Sequence, residues 1–296
     1  MNPLNVVFSY LLIYGMKIGN EHFLLRIPGL GIQGDAFGIA IARTIGAVLV
    51  SYALFNGSNL IKIEVERNFK FNFELLRSIY GIGLSASVES LLFSGGKLIT
   101  QTFIVAMGTA SIAANYVTIS IAGLICIPAD ALCIAATILV GQYMGRRDSS
   151  GAKEILMYLV KVASLCLLGL GAITFPFAGI LASAFTDSKD VVVITSVLIR
   201  VYILIIPLLY VVSFILQAGL KGTGDVKFTM TVSMLGMWAF RIILGYIVGV
   251  TFKVGVLGVW IGMYVDWIVR GALFYIRLQR GKWKENVVVR NVGEAV

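Results

Sequence analysis

The sequence predicts an all-α, polytopic integral membrane protein that crosses the bilayer about eight times. Hydrophobic residues make up 58% of its 296 residues and charged residues only 13%, about half the share expected in a soluble domain. The mean hydropathy is accordingly high, at +0.92. The apolar residues also fall in long runs, and an α-helix needs roughly 20 such residues to cross the hydrocarbon layer of a membrane.

Eight such runs account for most of the chain and leave no segment for a soluble domain. The first run lacks the basic stretch and the cleavage site of a secretory signal peptide, so we interpret it as a membrane helix. The third and fourth runs are joined by the short turn Met107-Gly108-Thr109, which predicts a transmembrane hairpin. The predicted spans are 3–19, 33–55, 75–107, 109–143, 153–181, 191–219, 227–250 and 255–278.

Lys and Arg residues are concentrated in the connectors that follow the second, fourth and sixth spans and in the C-terminal tail. Because short cytoplasmic loops are enriched in basic residues, this bias predicts that both termini are cytoplasmic. The net charge of +9 could indicate nucleic-acid binding. The basic residues are dispersed between apolar segments and form no single basic face, so we expect no nucleic-acid partner.

A boundary between two units is indicated by the connector after the second span, which is the longest and carries charges of both signs. A glycine pattern also repeats, since residues 31–41 match residues 255–265, and repeated helix sets are common in polytopic membrane proteins. The repeat aligns Gly31, Gly34 and Gly38 with Gly255, Gly258 and Gly262. The predicted division is two helices at 1–58, a cytoplasmic linker at 59–74, a six-helix unit at 75–280 and a basic cytoplasmic tail at 281–296.

Charged residues inside the predicted spans are the first candidates for function. Glu89 and Lys97 lie in the third span and Asp130 lies in the fourth. Each would cost about 2.5–3.5 kcal/mol at the bilayer centre, so such residues usually face a protein interior or a watery pathway. Glu89 and Lys97 share one broad helix face but are roughly 12 Å apart along the axis, so each is expected to have another partner.

These charges have two interpretations that the sequence leaves open. In the first, they line a pathway for a solute or an ion. In the second, Lys97 extends towards the membrane surface and Glu89 pairs with a neighbouring helix for structural reasons only. Pro128 predicts a helix kink beside Asp130 because it removes a backbone hydrogen bond. Arg241 and Asp266 in the last two spans could pair with each other across adjacent helices.

Other motifs give little support to an enzyme. Residues 29–34, GLGIQG, match a dinucleotide-binding pattern, but no strand precedes them and no acidic residue follows at the required spacing. His22 is the only histidine, and the three cysteines show no metal-ligand spacing. We therefore expect neither catalysis nor a bound metal or cofactor.

Four segments together resemble the multidrug and toxic compound extrusion (MATE) family. Residues 83–123 resemble the seventh helix of that family and the start of the eighth, and they place Glu89 and Lys97 as in a bacterial branch. Two positions depart from the usual pattern: Ser85 replaces a proline, and Phe93 stands where other branches carry the carboxylate. The remaining segments are 127–148 with Val140-Gly141-Gln142, 216–228 at the end of helix ten, and 255–284 in helix twelve and its tail.

This resemblance implies a twelve-helix fold of two six-helix lobes, of which the chain resembles the last two helices of the first lobe and the whole second lobe. It implies a secondary antiporter of a bacterial inner membrane that exports organic cations and drugs in exchange for Na⁺ or H⁺ by alternating access. The expected partners are cationic amphipathic compounds and the lipid bilayer, without a protein partner or a cofactor. Carboxylates such as Glu89 or Asp130 would couple the ion. A flippase for lipids or lipid-linked oligosaccharides and a non-transporting remnant are the alternatives.

Overall fold

The computed structural model describes residues 2–18, 25–27, 29–56 and 73–285, and these ranges are almost entirely helical. The all-α prediction is confirmed, with one short strand pair as the exception within those ranges. The chain divides into two compact units, Met1–Asn72 and Phe73–Val296. Most of the predicted linker at 59–74 and most of the predicted tail at 281–296 lie outside the described residues, so the predicted division stays a prediction.

The first unit is a helical hairpin. It consists of α1 (Asn2–Tyr14), the antiparallel strands β1 (Met16–Ile18) and β2 (Leu25–Ile27), and α2 (Ile32–Asn56). The first predicted span, 3–19, is too long because the helix ends at Tyr14, where Gly15 adopts a φ of 72° that terminates it. With 13 residues, α1 is about 20 Å long, which is shorter than the hydrocarbon layer.

Glycines allow α2 to approach α1 closely. A Cβ atom added at Gly34 would overlap the backbone of Leu12, and one added at Gly38 would lie 2.7 Å from the backbone nitrogen of Ser9. Small residues at a helix contact permit such backbone approach in membrane proteins. Gly34 of the GLGIQG segment therefore serves close helix packing, and a dinucleotide site is not needed to explain it.

The second unit contains the remaining helices. The predicted hairpin turn is confirmed, since Gly108 adopts a φ of 98° between the third and fourth helices of the chain. The helices are α3 (Phe73–Val105), α4 (Thr109–Gly145), α5 (Ser149–Thr174), α6 (Ala178–Ser183), α7 (Lys189–Ile205), α8 (Leu209–Gly222), α9 (Val226–Thr251) and α10 (Val256–Arg280), followed by a 3₁₀ turn at Lys282–Glu285.

Five described helices are long and apolar enough to cross a membrane, and α7 with α8, bent by 57°, would be a sixth if the pair is counted as one span. The bend lies at Pro207, which cannot continue the helix. Two predicted spans lie outside this set: α1 is short, and the 33 residues of α3 include enough Ser, Gly and charged residues to dilute its hydropathy. The five helices are α2, α4, α5, α9 and α10.

Helix α10 is the most buried of these spans and packs against α8 and α9. A Cβ atom at Gly258 would lie 2.6 Å from the Cα of Gly249, and one at Gly262 would lie 2.6 Å from the nitrogen of Gly245. Parts of α9, Gly236–Leu244 and Ile247–Thr251, are wound as π-helix. Such wide turns are frequent at functional sites because they change the direction in which a side chain points.

The connector before α5 is fixed by a helix cap. The Asp148 carboxylate accepts hydrogen bonds from the backbone N–H of Gly151 at 2.9 Å and from the Ser150 hydroxyl at 2.8 Å. These bonds stabilise the ionised carboxylate and hold the pKa of Asp148 below its usual range. Asp148 therefore satisfies one of the free N–H groups with which a helix begins.

Candidate functional site

The second unit contains a cavity of about 580 Å³ between α3, α4, α7, α8, α9 and α10. Its walls are mainly apolar and aromatic, with rings that include Tyr202, Tyr210, Trp260 and Trp267. The charged side chains that line it are Lys97, Asp130 and Arg241. Drug-sized ligands are usually bound in cavities of this size, with apolar walls and a few polar groups that fix orientation.

Two of these charges lie on one side, around the ring of Phe93. The Lys97 Nζ atom is 5.1 Å from the ring centroid, and the Cζ atom of Arg241 is 5.7 Å from it. Arg241 reaches this position from the π-helical part of α9. A third cation, Arg270 of α10, has its Cζ atom 5.8 Å from the same ring and 4.9 Å from the ring of Phe214.

Asp130 supplies the carboxylate of the cavity wall. It accepts a hydrogen bond of 2.6 Å from the hydroxyl of Tyr210. The Tyr210 ring stacks on Phe214 with centroids 4.3 Å apart and meets Trp267 edge-on at 5.3 Å. Pro128 lies inside α4, one half-turn before Asp130, and the kink expected there stays a prediction.

Glu89 is held outside this cavity. Its side chain is buried, and the Nζ atom of Lys221 forms an ion pair with it at 2.9 Å. Gln217 donates a hydrogen bond to the Glu89 carboxylate at 2.6 Å and another to the hydroxyl of Ser233 at 2.8 Å. Glu89 therefore has a partner on another helix, whereas Lys97 forms no ion pair with a carboxylate within the described residues. Sequence spacing within α3 could not identify Gln217 and Lys221 as partners of Glu89 because both come from α8.

Asp266 has a different partner from the one suggested by the sequence. It forms an ion pair of 2.9 Å with Arg270, one turn further along α10, and both side chains are at most 1% exposed. Among the described residues Arg241 forms no direct ion pair with Asp266, whose i,i+4 neighbour on the same helix takes that place. That spacing was visible in the sequence, so Arg270 is a residue that sequence reasoning missed.

The structure thus divides the five predicted site residues into three groups. Lys97, Asp130 and Arg241 meet in the cavity, whereas Glu89 is bound by α8 and Asp266 by its own helix. Across the described ranges, His, Cys, Asp and Glu side chains do not gather in groups of three that could hold a metal ion. The arrangement is suited to binding an amphipathic compound within the helix bundle.

These features define the class: a multi-pass helical membrane protein with a mainly apolar, aromatic-walled cavity in its second unit. A family model described as MatE matches residues 86–247, which is more than half of the 296-residue chain. The chain belongs to the MatE family, whose members are transporters and not enzymes. The resemblance to the MATE family is confirmed.

Relatives match nearly the whole chain. It is 29% identical to the uncharacterized transporter YisQ of Bacillus subtilis over 96% of this chain and 60% of that protein. It is 26% identical to the probable multidrug resistance protein NorM of Thermotoga maritima over 97% of this chain and 60% of that protein. The chain therefore spans about 60% of the length of these curated relatives.

Solved structures show the same fold at lower identity. A MOP superfamily transporter from Pyrococcus furiosus superposes with a TM-score of 0.81 and 22% identity, covering 94% of this chain and 60% of that one. An outward-facing multidrug resistance MATE family transporter gives the same TM-score, identity and coverage. The predicted likeness to part of a twelve-helix, two-lobe transporter is supported by this coverage.

Proposed function

We propose that the complete protein is a secondary active antiporter that exports organic cations and drugs in exchange for Na⁺ or H⁺ by alternating access. Membership of the MatE family supports this proposal, and the cavity of the second unit carries it. Its aromatic walls suit flat apolar molecules, and the exposed carboxylate of Asp130 suits a basic group on them. We place the protein in a bacterial inner membrane with both termini cytoplasmic, on the distribution of basic residues.

Coupling to the ion is assigned to the two carboxylates Glu89 and Asp130. The ion pair of Glu89 with Lys221 joins α3 to α8, and a proton or Na⁺ at Glu89 would compete with the Lys221 ammonium group. Loss of that ion pair would release α3 from α8. The ion would then bind one conformation of the protein more tightly than the other, and such a difference in affinity is what shifts a conformational equilibrium. No cofactor, protein partner or nucleic acid takes part in this proposal.

The test is dye efflux in bacteria that express the complete protein. Glu89→Gln and Lys97→Met should each abolish efflux of ethidium while the protein remains in the membrane at normal abundance, because removing an intramembrane charge does not hinder insertion. Lys161→Met is the matched control, since it removes an exposed charge of α5 away from the cavity. Full efflux by both site variants contradicts the proposal.

A flippase for lipids or lipid-linked oligosaccharides is the second candidate. The observation that favours it is the presence of Lys97 and Arg241 in the cavity, where they suit a phosphate headgroup. Reconstituted complete protein that moves lipid-linked sugars between leaflets, but leaves ethidium in place, would establish this function instead.

The chain by itself is expected to insert without transporting. Alternating access in the proposed fold uses two lobes around a central cavity. The non-transporting remnant remains the alternative for the organism's own protein. Efflux by the 296-residue chain is to be compared with efflux by a version extended by four further N-terminal helices. Equal ion-driven efflux from both would show that eight helices suffice.

A further inference from the structure

Lys97 and Arg241 form a pair of like charges in the cavity that lacks a protein counter-ion. In the part of the chain that the structure describes, neither side chain forms an ion pair with a carboxylate. Asp266 pairs with Arg270 and Glu89 pairs with Lys221. The carboxylate of the cavity wall, Asp130, accepts a hydrogen bond from Tyr210 and forms no ion pair with either cation. Among the described residues, the cavity lining therefore contains two cationic side chains and one carboxylate, so its formal charge is positive.

The Phe93 ring does not balance this charge. A cation over an aromatic face gains less than a charge held within a membrane costs, unless that charge also meets water or a counter-charge. Both cationic groups lie near the same ring, at 5.1 Å and 5.7 Å from its centroid, and they repel each other. An anion that reached both would remove the repulsion and gain two charge-assisted hydrogen bonds.

We propose that Lys97 and Arg241 form a subsite for an acidic group of the transported compound. The ligand class is an aromatic compound that carries a carboxylate or sulfonate at the Phe93 side, and its basic group, where it has one, faces Asp130. The aromatic wall of Tyr210, Phe214 and Trp267 takes the flat part of the molecule. This assignment rests on the proposed export function, and it extends the substrates from organic cations to aromatic acids and zwitterions.

An anionic phospholipid carries the same chemistry in its headgroup. The aromatic lining favours a ring-bearing acid over a lipid, because stacked and edge-on rings gain from flat partners and add little for an acyl chain. The whole cavity belongs to one unit of the 296-residue chain, so binding is measurable without transport. The binding experiment can therefore fail while the efflux test succeeds, or the reverse, so the subsite and the export function are tested separately.

The experiment is isothermal titration of the purified 296-residue chain in a non-ionic detergent with two matched probes. These are 2-naphthalenesulfonate and 2-naphthylmethylammonium, which share the ring and differ in charge. The variants Lys97→Met and Arg241→Met should each weaken sulfonate binding about tenfold or more, since each loses a charge-assisted hydrogen bond. Ammonium binding should stay the same or strengthen, which also shows that the cavity is folded.

Two exposed basic residues of other helices supply the controls. Lys161→Met in α5 and Arg200→Met in α7 remove equal charges outside the cavity lining and should leave sulfonate binding unchanged. Lys97→Arg should recover most of the affinity that Lys97→Met loses. Sulfonate binding that is insensitive to both cavity variants, or that falls equally in the controls, overturns the proposal. Displacement of the sulfonate by added phosphatidylglycerol in the wild type only would assign the subsite to a lipid phosphate and overturn the substrate class.

Discussion

The hairpins α1/α2 and α9/α10 use the same packing device for different purposes. Gly34 and Gly38 let α2 contact the backbone of α1, and the repeat-related Gly258 and Gly262 let α10 contact the backbone of α9. The surroundings differ, because 61% of the α10 span is buried but only 17% of the α2 span. The sequence repeat thus records a helix contact, whereas burial and function depend on which further helices surround it.

The charged side chains of the two hairpins also differ in burial. Arg43 of α2 is exposed, whereas Arg270 of α10 is buried with Asp266 and reaches the Phe93 and Phe214 rings of the cavity wall. Gly236 in α9 makes room for that ion pair, because a Cβ atom there would overlap the Asp266 carboxylate. The α9/α10 hairpin therefore carries a polar network in addition to its glycine contact.

Removing the buried arginine should have the largest effect. Arg270→Met leaves the Asp266 carboxylate buried without its partner, and losing one member of a buried pair costs about 3–5 kcal/mol. We expect little monodisperse protein after detergent extraction, measured by size-exclusion chromatography during a thermal ramp. Arg43→Met in α2 is the matched control and should melt like the wild type. Similar melting of both variants would contradict the difference drawn between the hairpins.

A methyl group at the α9/α10 contact should have the next largest effect. Gly262→Ala places a Cβ atom 2.6 Å from the Gly245 nitrogen, and such overpacking costs about 1–3 kcal/mol. The thermal midpoint in detergent should fall. Gly169→Ala meets no atom within 4 Å and should be neutral or slightly stabilising, because alanine favours the helix. An unchanged thermal midpoint for Gly262→Ala would show that the contact between α9 and α10 has room for a methyl group.

The corresponding change in the first hairpin should have a smaller and local effect. Gly38→Ala meets the backbone of Ser9, but α1 is short and the α2 span is mostly exposed, so less burial depends on this contact. Amide hydrogen exchange should rise in α1 and stay unchanged in α9 and α10. Faster exchange throughout the second unit would show that the two hairpins do not differ in this way.

The sequence predicted where the helices lie better than where a predicted span divides into two helices. The apolar runs located each helix, and Gly108 marked the turn between α3 and α4 correctly. The spans predicted at 153–181 and 191–219 are each two helices, because Pro176 and Pro207 interrupt them, and these prolines were present in the sequence. Hydropathy alone does not detect such interruptions, since proline flanked by Leu, Ile and Phe leaves the local average high.

The site was predictable as a list of charged residues but not as an arrangement. The cost of an intramembrane charge drew attention to Lys97 and Asp130, which line the cavity, and to Glu89, which does not. Their role in a transport pathway stays a prediction. The partners Gln217 and Lys221 of Glu89 come from another helix, so they depend on tertiary packing that a single sequence does not reveal. The aromatic wall likewise combines rings from α7, α8 and α10.

The central claim is that the cavity of the second unit binds the exported compound, and substrate protection of a single cysteine tests it most directly. In the complete protein with its native cysteines replaced by alanine, Gly123→Cys lies in the cavity wall and Ser188→Cys is exposed outside it. Saturating ethidium should slow maleimide labelling of Gly123→Cys severalfold and leave Ser188→Cys unaffected. Labelling of Gly123→Cys that proceeds at the same rate with and without ethidium, while the variant still exports the dye, would contradict the claim.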